Sequence, residues 1–263
     1  MKLRDKVVWI TGASSGIGAA IAVALSRQGC RLVLSARRME KLEQVRDACQ
    51  DPTRVMLLPA DLADETSHAD VVERALDSFG RIDAVVHSAG ISQRSRAIET
   101  GVEVDRRIFE INYFATVSLT KKVLPHMLAR GSGSFVVISS VSGKVGNPGR
   151  TAYAASKHAL HGFFDSLRAE THDLGLRTTI VCPGYVRTEI GKAALTGDGK
   201  PSAKVDEHTA KGVSAEKVAD RVVRAMQRDE REVFVGGKEV GVAFLKRLSP
   251  GLADRVMQAF GNG

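Results

Sequence analysis

Short, nearly uninterrupted apolar runs recur along this chain, each followed by a helix-like stretch, and this alternation narrows the fold more than any other feature. The runs are Val7-Val8-Trp9-Ile10, Arg31-Leu32-Val33-Leu34-Ser35, Val55-Met56-Leu57-Leu58, Ala84-Val85-Val86-His87, Phe135-Val136-Val137-Ile138-Ser139, Thr178-Thr179-Ile180-Val181-Cys182 and Glu232-Val233-Phe234-Val235. Strands apolar on both faces belong in a parallel sheet covered on both sides. Helices are predicted over residues 17–27, 39–49, 66–79, 104–130, 153–174 and 214–227. Right-handed crossovers then give an α/β, doubly wound parallel sheet of about seven strands with helices on both faces. Such sheets bind ligands beyond the carboxyl ends of their strands, so strand-end residues are the ones to inspect.

The chain has 263 residues, 43% of them hydrophobic, which suits one domain over 1–263. Residues 189–211 are polar and irregular, a connection long enough to be a substrate lid. Residues 238–263 read as a helical tail. There Val240, Phe244, Leu245, Leu248, Leu252, Val256, Met257 and Phe260 recur near helical spacing, with Lys246, Arg247 and Arg255 between them. Such a tail packs on the core or a neighbouring subunit, or rests peripherally on an anionic membrane. No apolar stretch approaches the about 18 residues that cross a bilayer. Residues 1–6 are too short and too charged for a signal peptide, so a cytoplasmic protein is expected. Cys30, Cys49 and Cys182 lack metal-ligand spacing and cannot all pair, so reduced thiols and no metal are expected. The net charge of +8 is spread without a run of five basic residues, which favours a solvated surface over a nucleic-acid groove.

Thr11-Gly12-Ala13-Ser14-Ser15-Gly16-Ile17-Gly18 joins the first strand to the first helix. Gly12 permits the tight turn, Gly16 lets backbone approach a pyrophosphate, and Gly18 allows close helix–strand packing. The helix N-terminus then favours phosphate charge, which makes this a dinucleotide turn. The second strand ends Ser35-Ala36-Arg37-Arg38, without the acid that would bind the ribose diol of NAD. An arginine fork suits a 2′-phosphate, so NADP(H) is expected. Asp61 and Leu62, just past the third strand, are placed to meet the adenine.

Tyr153 and Lys157 lie four positions apart in Tyr153-Ala154-Ala155-Ser156-Lys157 and share one helix face. A cation beside a phenol lowers a pKa that starts near ~10. Such a phenol can give a proton to a carbonyl oxygen or take one from an alcohol.

With the glycine turn, Asn112, Ser139-Ser140, Tyr153, Lys157 and Pro183-Gly184, the chain resembles the short-chain dehydrogenase/reductase family, over residues 6–234. The resemblance implies a Rossmann-type fold and a set of roles. Ser140 would hold the substrate oxygen, Tyr153 would be the general acid/base, and Lys157 would hold the nicotinamide ribose. Asn112 would hold a water in a proton relay toward Lys157. Ser14, Arg37 and Arg38 would hold the 2′-phosphate. Pro183, Gly184, Val186 and Thr188 would meet the nicotinamide end, and Ala89-Gly90 would turn beside the cofactor. Ser139 is the rival of Ser140; the family position favours Ser140, and neighbouring strand residues face opposite ways. The usual Asn-Asn-Ala-Gly after the fourth strand is here His87-Ser88-Ala89-Gly90, so the usual side-chain tie between strands is in question. His87 reads as a packed strand-end residue.

Gly90-Ile91-Ser92-Gln93, Asn112-Tyr113-Phe114, Ser142-Gly143-Lys144 and Ser156-Lys157-His158-Ala159 resemble the membrane-associated reductase branch close to hydroxysteroid dehydrogenases. That branch acts on steroids, retinoids and lipid-derived ketones. The expectation is an NADP(H)-dependent oxidoreductase interconverting a ketone or aldehyde and an alcohol on a hydrophobic small molecule. A silent NADP(H)-sensing protein is the alternative, set back by the presence of Ser140, Tyr153, Lys157 and Asn112 together. The family commonly buries its long helices against partners, which implies a homodimer or homotetramer.

Overall fold

Seven strands, β1 (Val7–Thr11), β2 (Arg31–Ser35), β3 (Val55–Leu57), β4 (Ala84–His87), β5 (Gly133–Ile138), β6 (Leu176–Pro183) and β7 (Glu232–Val235), pair in parallel in the order β3-β2-β1-β4-β5-β6-β7. The computed structural model describes residues 1–203 and 207–261, the side chain of Phe260 excepted. Positions 204–206 of the expected lid and 262–263 of the expected tail thus lie outside the described residues. Each apolar run forms the strand predicted for it, with ends moved by a residue or two. The chain winds outward from β1 to β3, then crosses to β4 on the other side of β1. That reversal opens a crevice between the carboxyl ends of β1 and β4.

Period-two alternation divides the core between the two faces of the sheet. Val8 and Ile10 of β1 pack with Leu32, Leu34, Val86 and Val136 under α1 (Gly16–Ser26) and a later helix over Ala215–Arg228. Val7 and Trp9 point the other way and join Val33, Val85, Phe135 and Val137. The buried Trp9 indole N–H donates to the Ser35 hydroxyl at 2.8 Å, so its one polar atom is satisfied. The remaining helices in chain order are α2 (Met39–Asp47), α3 (His68–Asp77), α4 (Val102–Phe109), α5 (Ala115–Ala129), α6 (Thr151–Glu170), α7 (Glu207–Ala210), α8 (Ala215–Arg228), α9 (Val240–Leu248) and α10 (Pro250–Gly261).

Three expectations change. The helix predicted over 104–130 runs without a break from Val102 to Ala129, but it widens into a π turn at Glu110–Phe114 between α4 and α5. The wide turn places Asn112 inward, where its side chain bonds the Ile91 backbone and the Ser156 hydroxyl. The segment expected as a lid is less irregular than predicted. It holds a tight turn at Glu189–Gly191, short bridges Gln93↔Leu195 and Leu195↔Pro201, and α7. The tail is two helices, with Pro250 opening the second, where a missing N–H costs nothing. One side of the tail packs on the core through Val242, Ala243 and Ala253 against Val145, while Phe244, Leu248 and Leu252 stay exposed.

Candidate active site

The turn after β1 is shaped by close backbone contact. Gly12 has φ +66°, and a Cβ there would lie 2.7 Å from the Ala89 backbone, so the β1 and β4 turns touch directly. A Cβ on Gly18 would lie 2.4 Å from the Gly12 carbonyl oxygen, so any side chain would push α1 off the turn. Ser15, at the cap of α1, makes no side-chain cap bond, leaving first-turn N–H groups available to an anion. The side-chain tie in question at Ser88 is replaced from the other strand: the Thr11 hydroxyl accepts the N–H groups of Ser88 and Ala89 at 3.2 and 3.4 Å. His87 is packed, as expected. It stacks near Phe135, meets the Thr120 hydroxyl at 2.9 Å, and burial pushes its pKa down to about 3.

Beyond these strand ends lies a cavity of about 490 Å³. Gly12, Ser14, Ser15, Gly16, Ile17 and Gly18 line it, together with Arg37, Arg38, Asp61 and Leu62. Ala89, Gly90, Pro183, Gly184, Val186 and Thr188 line it as well, with Ser140, Tyr153 and Lys157, and Thr188 sits against Gly16. Arg38 donates to the Ser14 hydroxyl at 3.4 Å, which brings two of the residues expected at a 2′-phosphate together. These features fit a dinucleotide: a backbone cradle with no room for side chains, free helix N–H groups, and arginines where NAD-type sites carry an acid.

The Ser140 hydroxyl lies beside the Tyr153 phenol and draws its pKa down against the effect of burial. The Ser140 hydroxyl also accepts the Ser142 N–H at 3.0 Å and donates to the Pro183 carbonyl at 3.4 Å. Ser139 borders the cavity too, but its hydroxyl turns to the His161 ring at 3.0 Å and the Lys157 carbonyl at 3.4 Å. Lys157 Nζ lies 5.8 Å from the centre of the Tyr153 ring and donates to the Ile138 carbonyl at 2.9 Å. Asn112 does not line the cavity. It sits one layer behind Gly90, its side-chain oxygen accepting the Ile91 N–H at 2.8 Å and its amide donating to the Ile91 carbonyl and Ser156 hydroxyl, each at 3.0 Å.

The expected lowering of the Tyr153 pKa by Lys157 is reversed. Burial raises the Tyr153 phenol above its ordinary value, and the nearby Arg150 charge and the Ser140 hydroxyl offset this only in part. Burial also pushes Lys157 down to about 8. The cation that spacing assigns to the phenol is bound to a backbone carbonyl, and desolvation of the buried phenol sets the direction of its shift.

The cavity also uses residues that sequence reasoning missed. Glu239 accepts the Tyr185 and Gly237 N–H groups at 3.0 and 2.9 Å and fills the space over Gly184. Arg150 borders the cavity and donates to the Ser92 hydroxyl at 3.2 Å. Val141, Val145, Ile190, Val242 and Met257 supply apolar wall. Arg150 sits just ahead of the Tyr153 motif, a signal that could have found it; Glu239 has no local signal. Away from the cavity, His161, Cys182 and Glu232 converge within 4.8 Å, but Lys144 already pairs with the Glu232 carboxylate at 2.6 Å.

The comparisons agree with this architecture. A family model described as short chain dehydrogenase matches residues 6–198. A Drosophila melanogaster protein, dehydrogenase/reductase SDR family protein 7-like, is 43% identical, the match covering 97% of this chain and 80% of that protein. The Mus musculus dehydrogenase/reductase SDR family member 7B is 39% identical over 97% of this chain and 81% of its own length. Among solved structures, a short-chain dehydrogenase from Streptomyces avermitilis has a TM-score of 0.81 at 29% identity, covering 98% of this chain and 99% of its own. An alcohol dehydrogenase from the archaeon Thermococcus sibiricus, complexed with 5-hydroxy-NADP, has a TM-score of 0.76 at 28% identity, covering 90% and 98%. With its sheet order, its glycine turn and these matches, the chain belongs to the short-chain dehydrogenase/reductase family, alongside relatives named SDR family members 7 and 7B.

Proposed function

We propose that this oxidoreductase uses NADP(H) to interconvert a ketone or aldehyde and an alcohol on a lipid-like, hydrophobic substrate. One observation carries the reading: Ser140, Tyr153 and Lys157 gather in one cavity with the glycine turn and the arginines after β2. When bound, the cofactor supplies or accepts the hydride. The chain's own residues handle the oxygen and its proton. The Ser140 hydroxyl donates a hydrogen bond to the substrate carbonyl oxygen, and the Tyr153 hydroxyl delivers the proton as charge builds there. A buried Tyr153 with a raised pKa keeps its proton at neutral pH, which suits it to act as acid in carbonyl reduction. Lys157 is held at the Ile138 carbonyl beside Tyr153 and would hold the nicotinamide ribose when the cofactor is bound. Asn112 secures the Ile91 backbone and thereby the Gly90 turn.

The choice of NADP(H) rests on Arg37, Arg38 and Ser14 and on the missing acid after β2. The hydrophobic substrate rests on the apolar wall shared by β5–α6 loop residues and the tail. Residues 189–211 act as lid and 238–263 as tail. The exposed Phe244, Leu248 and Leu252 give that tail an apolar face suited to a membrane surface. Among the described residues no helix is long and apolar enough to cross a membrane.

Turnover of NADPH with a panel of aliphatic and cyclic ketones tests this reading. Tyr153→Phe lowers kcat about 10²–10⁴-fold with NADPH affinity kept. Arg37→Ala weakens NADPH about tenfold or more while leaving NADH alone. Undiminished turnover in Tyr153→Phe, or a wild type that prefers NADH, overturns it.

A further inference from the structure

We infer that Gln93 is a positioning residue for Tyr153, capping the start of α6 from outside that helix and held in place by Leu195 of the lid. The inference rests on the proposed oxidoreductase function only for its kinetic arm.

The start of α6 lacks a cap of its own. Arg150 occupies the cap position and makes no side-chain cap bond. The N–H of Ala152, immediately before Tyr153, is instead accepted by the Gln93 side-chain oxygen at 2.8 Å. That is the bond a cap residue normally supplies to a second-position N–H. Gln93 is fully buried and its amide is fixed at the other end, where it donates to the Thr100 hydroxyl at 3.0 Å and the Thr151 hydroxyl at 3.3 Å. An oxygen held this way sets the height of the first turn of α6, and with it the reach of the Tyr153 hydroxyl.

The lid holds Gln93 from the opposite side. Leu195 donates its N–H to the Ser92 carbonyl at 2.9 Å and accepts the Arg94 N–H at 2.7 Å, so Gln93 lies within a small parallel bridge. The Leu195 side chain is buried in one apolar cluster with Val104, Ile108 and Ala152, the helix residue that Gln93 caps. Lid seating and Tyr153 placement therefore share one joint. Neither Gln93 nor Leu195 borders the glycine turn, so the joint bears on the reacting end of the cavity and not on cofactor affinity.

The test compares wild type with Gln93→Leu, Gln93→Glu and Leu195→Ala, reading amide hydrogen exchange in the first turn of α6, kcat for ketone reduction, and NADPH affinity. Gln93→Leu should speed exchange at Ala152 and lower kcat by about 10- to 100-fold, the scale of a small misplacement at a reacting centre, with NADPH affinity unchanged. Gln93→Glu keeps an acceptor oxygen and should restore most of both exchange protection and kcat. Leu195→Ala, which leaves Gln93 intact, should move both in the direction of Gln93→Leu, and stands in for it if that variant does not fold. Unchanged exchange at Ala152 in the folded variants, or loss of NADPH affinity in step with kcat, overturns the inference. If wild type turns over no carbonyl or alcohol, the oxidoreductase reading fails and the exchange measurements alone decide the role of Gln93.

Discussion

Lys157 follows Tyr153 by one helical turn, yet its ammonium is turned to the Ile138 carbonyl, buried, with its pKa pushed down to about 8. An unfolded chain would hold that proton to about 10.4. Between these two values the unfolded state binds more protons than the folded one, so this group makes stability rise with pH across the window. Below about 8 the buried charge is present and its full cost is felt. Urea unfolding of wild type and Lys157→Met from pH 7 to 10 should show the wild type gaining on the variant as pH rises; parallel slopes would remove the explanation. The comparison is needed because Cys30, whose pKa burial raises to about 12, acts in the opposite sense. Tyr153 completes the picture at this scale. Both partners of the pair are displaced toward their neutral forms by burial, so the site holds a phenol and an amine side by side, each disfavoured in its charged state.

At the scale of elements, one carboxylate ties three of them together. Asp83, just before β4, accepts the Val7 N–H at the start of β1 at 2.8 Å and Arg130 after α5 at 2.7 Å, with Arg81 at 3.0 Å. Burial opposes its charge, but the Val7 N–H and the Arg81, Arg130 and Lys6 cations outweigh it and hold the carboxyl below the usual range. Its stabilising share is therefore present above the unfolded pKa of about 4 and is lost as pH falls through the lower folded value. Asp83→Asn should cost about 2 kcal/mol in urea unfolding at pH 7 and flatten the acid limb of the stability profile. An unchanged acid limb would refute the assignment. The π turn before α5 acts at the same scale, since a regular turn would rotate Asn112 away from Ile91 and Ser156.

Across the whole molecule, Val102, Phe114 and Leu128 stay exposed at 63%, 52% and 36% along α4, the π turn and α5. A homodimer or homotetramer through this face is predicted, with Phe114→Lys shifting the mass by light scattering toward the monomer; a monomeric wild type would refute it. Strands and the glycine turn were legible because parallel strands are apolar on both faces and the turn's contacts are local. The π turn within the 104–130 helix was not, because no Pro or Gly marks it. Its cause is a set of bonds from Asn112 to residues distant in sequence. The Tyr153–Lys157 pair was readable as a spacing but not as an electrostatic state, since burial and the Ile138 carbonyl are tertiary facts. Gln93 was visible only as part of a motif; its partner, the Ala152 N–H, lies across the fold. The same distance governs Glu239, whose carboxylate reaches from the tail to the Tyr185 and Gly237 N–H groups over Gly184. Transplanting a relative's tail onto this body therefore requires a side-chain acceptor at position 239, or the exchange reshapes the cavity wall beside Gly184.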